Sequence, residues 1–188
     1  GGDLKPGAGK APTFLVTAIK DPKSGNLDRI QIVKGWLDAE GKQHEKVYDV
    51  AWSGDRAIGA DGKLPAVGDS VDLTTATYTD AIGAAELATA WTDPAFDPAQ
   101  RAFYYARVIE VPTPRWNTYD AVRTGMAPLT KVPATIQERA WSSPIWFTPS
   151  AEAQKTAAAG TTVADLKKQG ATPLNNAQLK ELIVGKAF

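Results

Sequence analysis

The sequence predicts a mainly β fold, namely an antiparallel β-sandwich of about seven strands followed by a short helical C-terminal appendage. From Thr13 to Phe147, short runs of β-branched and aromatic residues alternate with turns rich in Gly, Pro and Asp. After Pro149 the composition changes to alanine, lysine and glutamine. We therefore expect a β-sandwich domain over residues 1–149, and a helical tail or the start of a truncated further domain over residues 150–188.

Each predicted strand is a run of such residues bounded by turns. The runs are residues 13–20, 28–37, 46–53, 70–78, 85–92, 102–111 and 137–147. Side chains two apart share one face of a strand, so Tyr48, Val50 and Trp52 are expected to lie together. In the run 102–111 both alternating sets of side chains are apolar. That run is therefore predicted to be a central strand.

The connections between the strands predict tight turns and short helices. Asp38 to Lys42 is expected to form a hairpin turn, because Gly41 accepts the positive φ that such turns need. The pair Asp97 and Pro98 resembles a helix cap followed by the first helical residue, which predicts a turn of helix. Further short helices are predicted at residues 117–125, 163–169 and 177–184.

Composition and charge exclude several classes of protein. The chain of 188 residues carries 21 basic and 21 acidic side chains, with no block of like charge, which argues against binding to nucleic acid or to a membrane surface. No apolar run approaches the roughly 20 residues that span a bilayer, so no membrane insertion is expected. Cysteine is absent, which excludes disulfides and thiolate sites. The ends, at Gly1 and after an apolar stretch at Phe188, are expected to be those of a fragment.

The residues predict no complete catalytic or metal site. His44 is the only histidine, so neither a histidine-based triad nor a multi-histidine metal site can be built. Next to a predicted turn, His44 is expected to be a solvated loop residue rather than a general base. Ser142 and Ser143 precede Pro144 in a predicted strand, which is not a nucleophile elbow, and no glycine-rich phosphate loop is present. We expect no catalytic residue, metal ligand or cofactor in this chain.

Carboxylates near the end of the fifth predicted strand leave two interpretations open. Asp93, Asp97 and Glu110 would suit a calcium site or an acid/base pair. However, Pro94 and Pro98 interrupt the close and regular spacing that calcium loops have. Asx turns and helix caps are the favoured role for these carboxylates.

The six tryptophans supply flat surfaces for stacking. Core packing is favoured for the five in predicted strands, which are Trp36, Trp52, Trp91, Trp141 and Trp146. Trp116 differs, because it lies in a proline-rich loop beside Arg115, whose guanidinium suits an anion. Arg115 and Trp116 are therefore the candidate substrate-binding residues. Alternatively, Trp116 packs as a hydrophobic staple in front of a helix cap at Asn117.

Several stretches resemble a known bacterial family. The stretches are residues 26–36, 46–54, 101–108, 113–116 and 138–146. Together they resemble, over residues 1–149, the C-terminal part of the family called domain of unknown function 3604. The closing Ser-Pro-Ile-Trp at 143–146 resembles the final strand of proteins built on the polymerase-and-histidinol-phosphatase, or PHP, metallohydrolase plan.

The resemblance implies a larger, exported protein that is periplasmic or extracellular. Its histidine-rich N-terminal catalytic domain would hold divalent metal for phosphoester or related hydrolysis, and that domain would be the partner of this chain. Those histidines are missing here, so no metal ligand is carried across. We expect an accessory β-sandwich whose Arg115 and Trp116 form one wall of the substrate site. The alternatives are a carbohydrate or small-ligand binding module, and a purely structural or oligomerisation domain.

Overall fold

The computed structural model describes residues 1–5 and 10–153. The fold is mainly β with predominantly antiparallel sheets, as predicted, and residues 151–153 are helical. Gly1–Pro149 form one compact unit, and a second begins at Ser150. The tail helices predicted at 163–169 and 177–184 lie outside the described residues.

The described residues contain twelve strands and a helix of nine residues ahead of the tail. Their bounds are β1 Gly2–Leu4, β2 Thr13–Ile19, β3 Leu27–Leu37, β4 Gln43–Trp52, β5 Val71–Asp72, β6 Thr77–Tyr78, β7 Glu86–Thr92, β8 Ala102–Glu110, β9 Thr113–Pro114, α1 Trp116–Thr124, β10 Thr135–Ile136, β11 Arg139–Trp141 and β12 Ile145–Phe147.

The main sheet is built around β3 and β8. Its order is β1-β12-β8-β3-β4, and β11 also pairs with β8. All of these pairs are antiparallel except β1 with β12, which is parallel. β8 contacts three strands, which confirms its prediction as a central strand. β3 lies between two long neighbours, and its Ile30, Ile32 and Val33 are almost completely buried.

A second layer, the antiparallel ribbon of β2 and β7, packs on one face of the main sheet. Phe14 of the ribbon joins Ile32, Tyr104 and Phe147 of the sheet in the hydrophobic core. The rings of Phe14 and Tyr104 are 4.8 Å apart, and those of Tyr48 and Trp91 are 4.9 Å apart. The alternating exposure along β2 and β7 follows from this packing, since one face of the ribbon meets the core and the other meets solvent.

A charged pair lies in the interior between the two layers. The Lys34 Nζ of β3 is 2.6 Å from the Asp93 Oδ2 that follows β7, and both side chains are almost fully buried. Lys34 also donates to the Ala95 carbonyl at 2.7 Å, and the Tyr104 hydroxyl of β8 donates to Asp93 at 2.8 Å. Burial and the bond to Asp93 raise the pKa of Tyr104, so its hydroxyl remains a donor. The Asp93 Oδ1 accepts the Ala95 N–H, which is the predicted Asx turn.

Two of the predicted strands are not continuous, because the structure divides each of them into two short strands. The run 70–78 forms the short strands β5 and β6, because Ala76 has a φ of 51° and the Asp72 carboxylate accepts the Thr74 N–H. The run 137–147 splits into β11 and β12 around Pro144, which has no N–H to donate to the sheet. The helical turn predicted at Asp97 is a turn without helix.

The prediction that Tyr48, Val50 and Trp52 share one face of β4 fails at the Trp52 end of the strand. A register shift between Ile30 and Gln31 of β3 pairs Trp52 with Arg29 and Tyr48 with Ile32. Because a bulge inserts one extra residue, the strict two-residue period does not carry past it.

The hairpin between β3 and β4 forms as predicted, but His44 is not a solvated loop residue. Gly41 has a φ of 78°, and the Asp38 carboxylate accepts the Glu40 and Lys42 N–H groups. His44 lies on β4, where its Nε2 is 2.6 Å from the Asp38 Oδ2 and its ring stacks on Trp36 at 5.3 Å. The error arose because β4 begins three residues before the predicted strand.

Replacing Lys34 should leave the buried Asp93 carboxylate without its cation. We expect Lys34→Met to lower the free energy of unfolding by about 3–5 kcal/mol in urea denaturation at neutral pH. Lys46→Met is the matched control, because Lys46 pairs with Lys34 across the sheet but is exposed. The double variant K34M/D93N should recover part of the loss. Strictly additive losses would contradict this account of the pair.

Replacing His44 should change the titration of Asp38. The hydrogen bond from His44 is the largest cause that lowers the pKa of Asp38 below 3.8. Stabilisation by this carboxylate is therefore complete above that value and is lost as the pH falls through the lower folded pKa. In His44→Phe, which keeps an aromatic ring against Trp36, carboxyl NMR titration should show a higher Asp38 pKa. The Asp72 titration serves as control, and an unchanged Asp38 midpoint would contradict the assignment.

Candidate functional site

The main chain at Arg115 is fixed between a strand pair and a helix. β9 ends at Pro114 and α1 begins at Trp116, so Arg115 connects the two. The Arg115 N–H donates to the Ala134 carbonyl at 2.9 Å, and its own carbonyl accepts the Thr118 N–H at 2.9 Å. The Thr118 hydroxyl donates to the same Ala134 carbonyl at 2.6 Å. These bonds hold the start of α1 against the residue that precedes β10.

The Arg115 side chain carries a positive charge for which the described residues provide no partner. Its Nε is buried and has no hydrogen-bond acceptor among them. Among the residues that the structure describes, no carboxylate forms an ion pair with this guanidinium. An unsatisfied buried polar group costs about 1–3 kcal/mol. The buried Nε is out of reach of a ligand, so a ligand that supplies an acceptor would bind the part of the guanidinium that lines the grooves.

Trp116 is the first residue of α1 and is 63% exposed. The predicted cap at Asn117 is wrong, because Arg115 occupies the N-cap position with φ −74° and ψ 156°. Asn117 lies inside the helix and is buried. The helix starts early because the Ala134 carbonyl holds both Arg115 and Thr118. An indole this exposed does not act as a buried staple.

Two grooves adjoin at Arg115. One has a volume of about 340 Å³ and is lined by Lys23, Tyr78, Trp116 and Tyr119 among others. The second has a volume of about 480 Å³ and is lined by Thr135, Gln137, Arg139 and Trp141 among others. Arg115, Ile136 and Glu138 line both grooves. We call this combined surface the Arg115 cleft.

The segment that joins β10 to β11 forms one wall of the Arg115 cleft and is anchored by a buried carboxylate. The Gln137 Nε2 donates to the Asp28 Oδ2 at 3.1 Å and to the Glu110 carbonyl at 2.9 Å. Asp28 is fully buried, and its Oδ1 is 2.7 Å from the Arg56 Nη2. Gln137 is therefore fixed directly before Glu138, the next residue of the wall.

Core packing was the favoured prediction for Trp141 and Trp146, and it is wrong for both. Trp141 is 59% exposed and Trp146 is 50% exposed. Trp146 of β12 pairs with Phe103 of β8. Both side chains lie on the face of the main sheet opposite Tyr104 and the ribbon. The sequence did contain a signal for Trp141, because Arg139 lies two residues before it and therefore on the same face. A cation and an indole side by side are typical of a surface.

The predicted carboxylate candidates do not form a site. Asp93 is bound to Lys34, the Asp97 carboxylate accepts the Ala99 N–H, and Glu110 accepts a hydrogen bond from the Ser24 hydroxyl. In the described part of the chain, no group of three or more His, Cys, Asp or Glu residues is placed to hold a metal ion. The residues present here therefore do not fit the metal centre that the family resemblance implies for the larger protein.

A larger groove of about 550 Å³ lies elsewhere on the main sheet. Its walls include Trp36, Arg101, Phe103 and Trp146. The Phe103 and Trp146 rings are 5.3 Å apart, and Phe103 lies so close over Gly35 that a side chain there would collide with it. This groove is part of an open aromatic sheet face rather than a polar cleft.

Comparison with known proteins places the chain in one family. No curated protein and no solved structure matches it. Over the residues described, no helix has both the length and the hydropathy that a membrane span needs. The model of the family described as "Protein of unknown function (DUF3604)" matches residues 1–149, and the chain therefore belongs to this family.

Proposed function

We propose that this chain is a non-catalytic accessory β domain that binds an anionic ligand in the Arg115 cleft. The observation that carries the proposal is the guanidinium of Arg115, which lines two adjoining grooves and has no ion pair among the described residues. Trp116 lies next to it and offers an exposed indole face. Guanidinium groups bind carboxylates and phosphates in a bidentate manner, so an anion is the ligand that this geometry suits.

The larger setting of this proposal rests on the family resemblance. The chain would be the C-terminal part of an exported, periplasmic or extracellular protein whose N-terminal domain is a metal-dependent hydrolase. The Arg115 cleft would then form one wall of the substrate site, with the divalent metal and the hydrolytic residues supplied by the partner domain. Arg115 and Trp116 would bind and orient the anionic substrate rather than react with it.

Removing the cation and the indole should reduce ligand binding without unfolding the domain. In the protein that contains the hydrolase domain, R115A/W116A should lower kcat/KM for p-nitrophenyl phosphate about tenfold or more, because charge-assisted hydrogen bonds are lost. The melting temperature should change little, since Trp116 is exposed and the Arg115 side chain has no partner in the described part of the chain.

The matched control for this experiment is Arg101→Ala. Arg101 is exposed and lines the larger groove instead. It should leave kcat/KM unchanged. Equal kinetics for the wild type and R115A/W116A would remove the Arg115 cleft from the substrate site.

A second candidate function is structural. Phe103, Tyr105 and Trp146 form an aromatic cluster on the sheet face that the ribbon does not cover, and Phe103 stacks on Tyr105 at 6.4 Å. Trp146 remains half exposed in this cluster. Open aromatic surface is typical of faces that pack against another folded domain. This candidate assigns the cluster to an interface and leaves the Arg115 cleft without a ligand.

The structural candidate predicts self-association of the isolated chain. Sedimentation velocity should show dimers or larger species whose fraction rises with concentration, and Trp146→Ser should reduce that fraction several-fold, because it removes exposed apolar area. Trp141→Ser is the control with an equally exposed indole on β11. A chain that stays monomeric at high concentration would argue against this second function.

A further inference from the structure

We infer that the ligand of the Arg115 cleft is an acidic oligosaccharide, whose sugar rings stack on Trp116 and Trp141 while its carboxylates bind the cations between and beside them. The inference rests on the proposed function, since it names the class of the anionic ligand. It is carried by three features of the cleft, namely its two indoles, its charges and its central carboxylate.

Each arm of the Arg115 cleft has its own exposed tryptophan. Trp116 of α1 belongs to the smaller groove, and Trp141 of β11 belongs to the larger of the two. Both indoles are more than half exposed, although tryptophan is usually well buried. The smaller groove adds the rings of Tyr78 and Tyr119. An extended ligand that crosses Arg115 would therefore meet an aromatic surface on either side.

The charges of the cleft favour an anion that extends along it. The cations are Arg115 at the junction, Lys23 in one arm and Arg139 in the other. Within the described residues none of the three has an ion pair. Glu138 is the one carboxylate among the lining residues. The cleft thus has an excess of positive charge in a chain whose basic and acidic residues balance.

Glu138 distinguishes a glycan from a single-stranded nucleic acid, which also uses stacking and cations. The Glu138 carboxylate repels any anion, but a uronic-acid unit also carries hydroxyls that can donate to it, whereas the backbone of single-stranded DNA has no free hydroxyl. The Thr135 hydroxyl adds a neutral hydrogen-bonding group to the wall, and the Ser24 and Gln137 oxygens, whose donor groups are already bound, add acceptors. Strong nucleic-acid binding also requires more phosphate contacts than this cleft can make with its cations. A uronic-acid oligomer matches both the hydroxyl partners and the isolated cations.

The test is calorimetric titration of the 188-residue chain with uronic-acid tetramers from pectate, alginate and hyaluronan. At least one should bind, and its methyl-esterified form should bind about tenfold more weakly, because esterification removes the charge that the guanidinium recognises. Affinity should also fall as salt rises. This comparison uses the unaltered chain, so it does not depend on the folding of any variant.

Variants then assign the site. Arg115→Ala, Trp116→Ala and Trp141→Ala should each weaken binding of the tetramer about tenfold, as expected for buried anchors of a ligand. Trp146→Ala and Arg101→Ala, both in the separate larger groove, should leave the affinity unchanged. Circular dichroism of each variant checks that the β structure is retained.

Each contrary result has a separate meaning. Equal binding of the acid and its methyl ester would overturn the inference, as would tighter, Arg115-dependent binding of a thymidine oligonucleotide. If sodium sulfate binds in an Arg115-dependent manner and no tetramer does, the anion site stands and the acidic oligosaccharide is wrong. If neither sulfate nor any tetramer shows Arg115-dependent binding, both this inference and the proposed function fail.

Discussion

The buried pair of Lys34 and Asp93 is the interaction on which the two-layer arrangement depends. Lys34 belongs to the main sheet, Asp93 follows the ribbon strand β7, and Tyr104 of the neighbouring strand β8 donates to the same carboxylate. A buried charge is costly unless it is paired and hydrogen-bonded. The pair therefore favours the observed register of the ribbon on the sheet, because a shift would separate Lys34 from Asp93 in an apolar interior.

The Arg115 cleft depends on the same central strands through a second buried carboxylate. Asp28 lies near the start of β3 and binds both Arg56 and Gln137. Gln137 also binds the last carbonyl of β8, so one wall of the cleft is tied to the middle of the main sheet. The other wall starts at Arg115, whose main chain is held by Ala134. The backbone that carries the cations and indoles of the cleft is therefore held in place. This reduces the conformational entropy that the protein loses when a ligand binds.

The sequence was sufficient to predict the long strands, since β2, β3, β4, β7 and β8 each have a strong local pattern. It also made Arg115 and Trp116 candidates, from their proline-rich loop, and their role as binding residues stays a prediction. For Trp141 the one signal was Arg139 on the same face, because alternation shows which side chains share a face but not which face the second layer covers. The pairing of Lys34 with Asp93 could not be predicted either, since the two residues are 59 positions apart in the chain. The pairings of β9 with β10 and of β1 with β12 also join residues that are not neighbours in the chain.

The central proposal is that the guanidinium of Arg115, which has no ion pair among the described residues, binds an acidic ligand. The most direct measurement is the NMR signal of the Arg115 Nε–H group, assigned by its absence in Arg115→Lys. In the free chain this N–H lacks a hydrogen-bond acceptor. The account predicts that the signal shifts in a saturable manner when the bound uronic-acid tetramer is added. A signal that stays in place while the tetramer binds would show that Arg115 is not the group that recognises it.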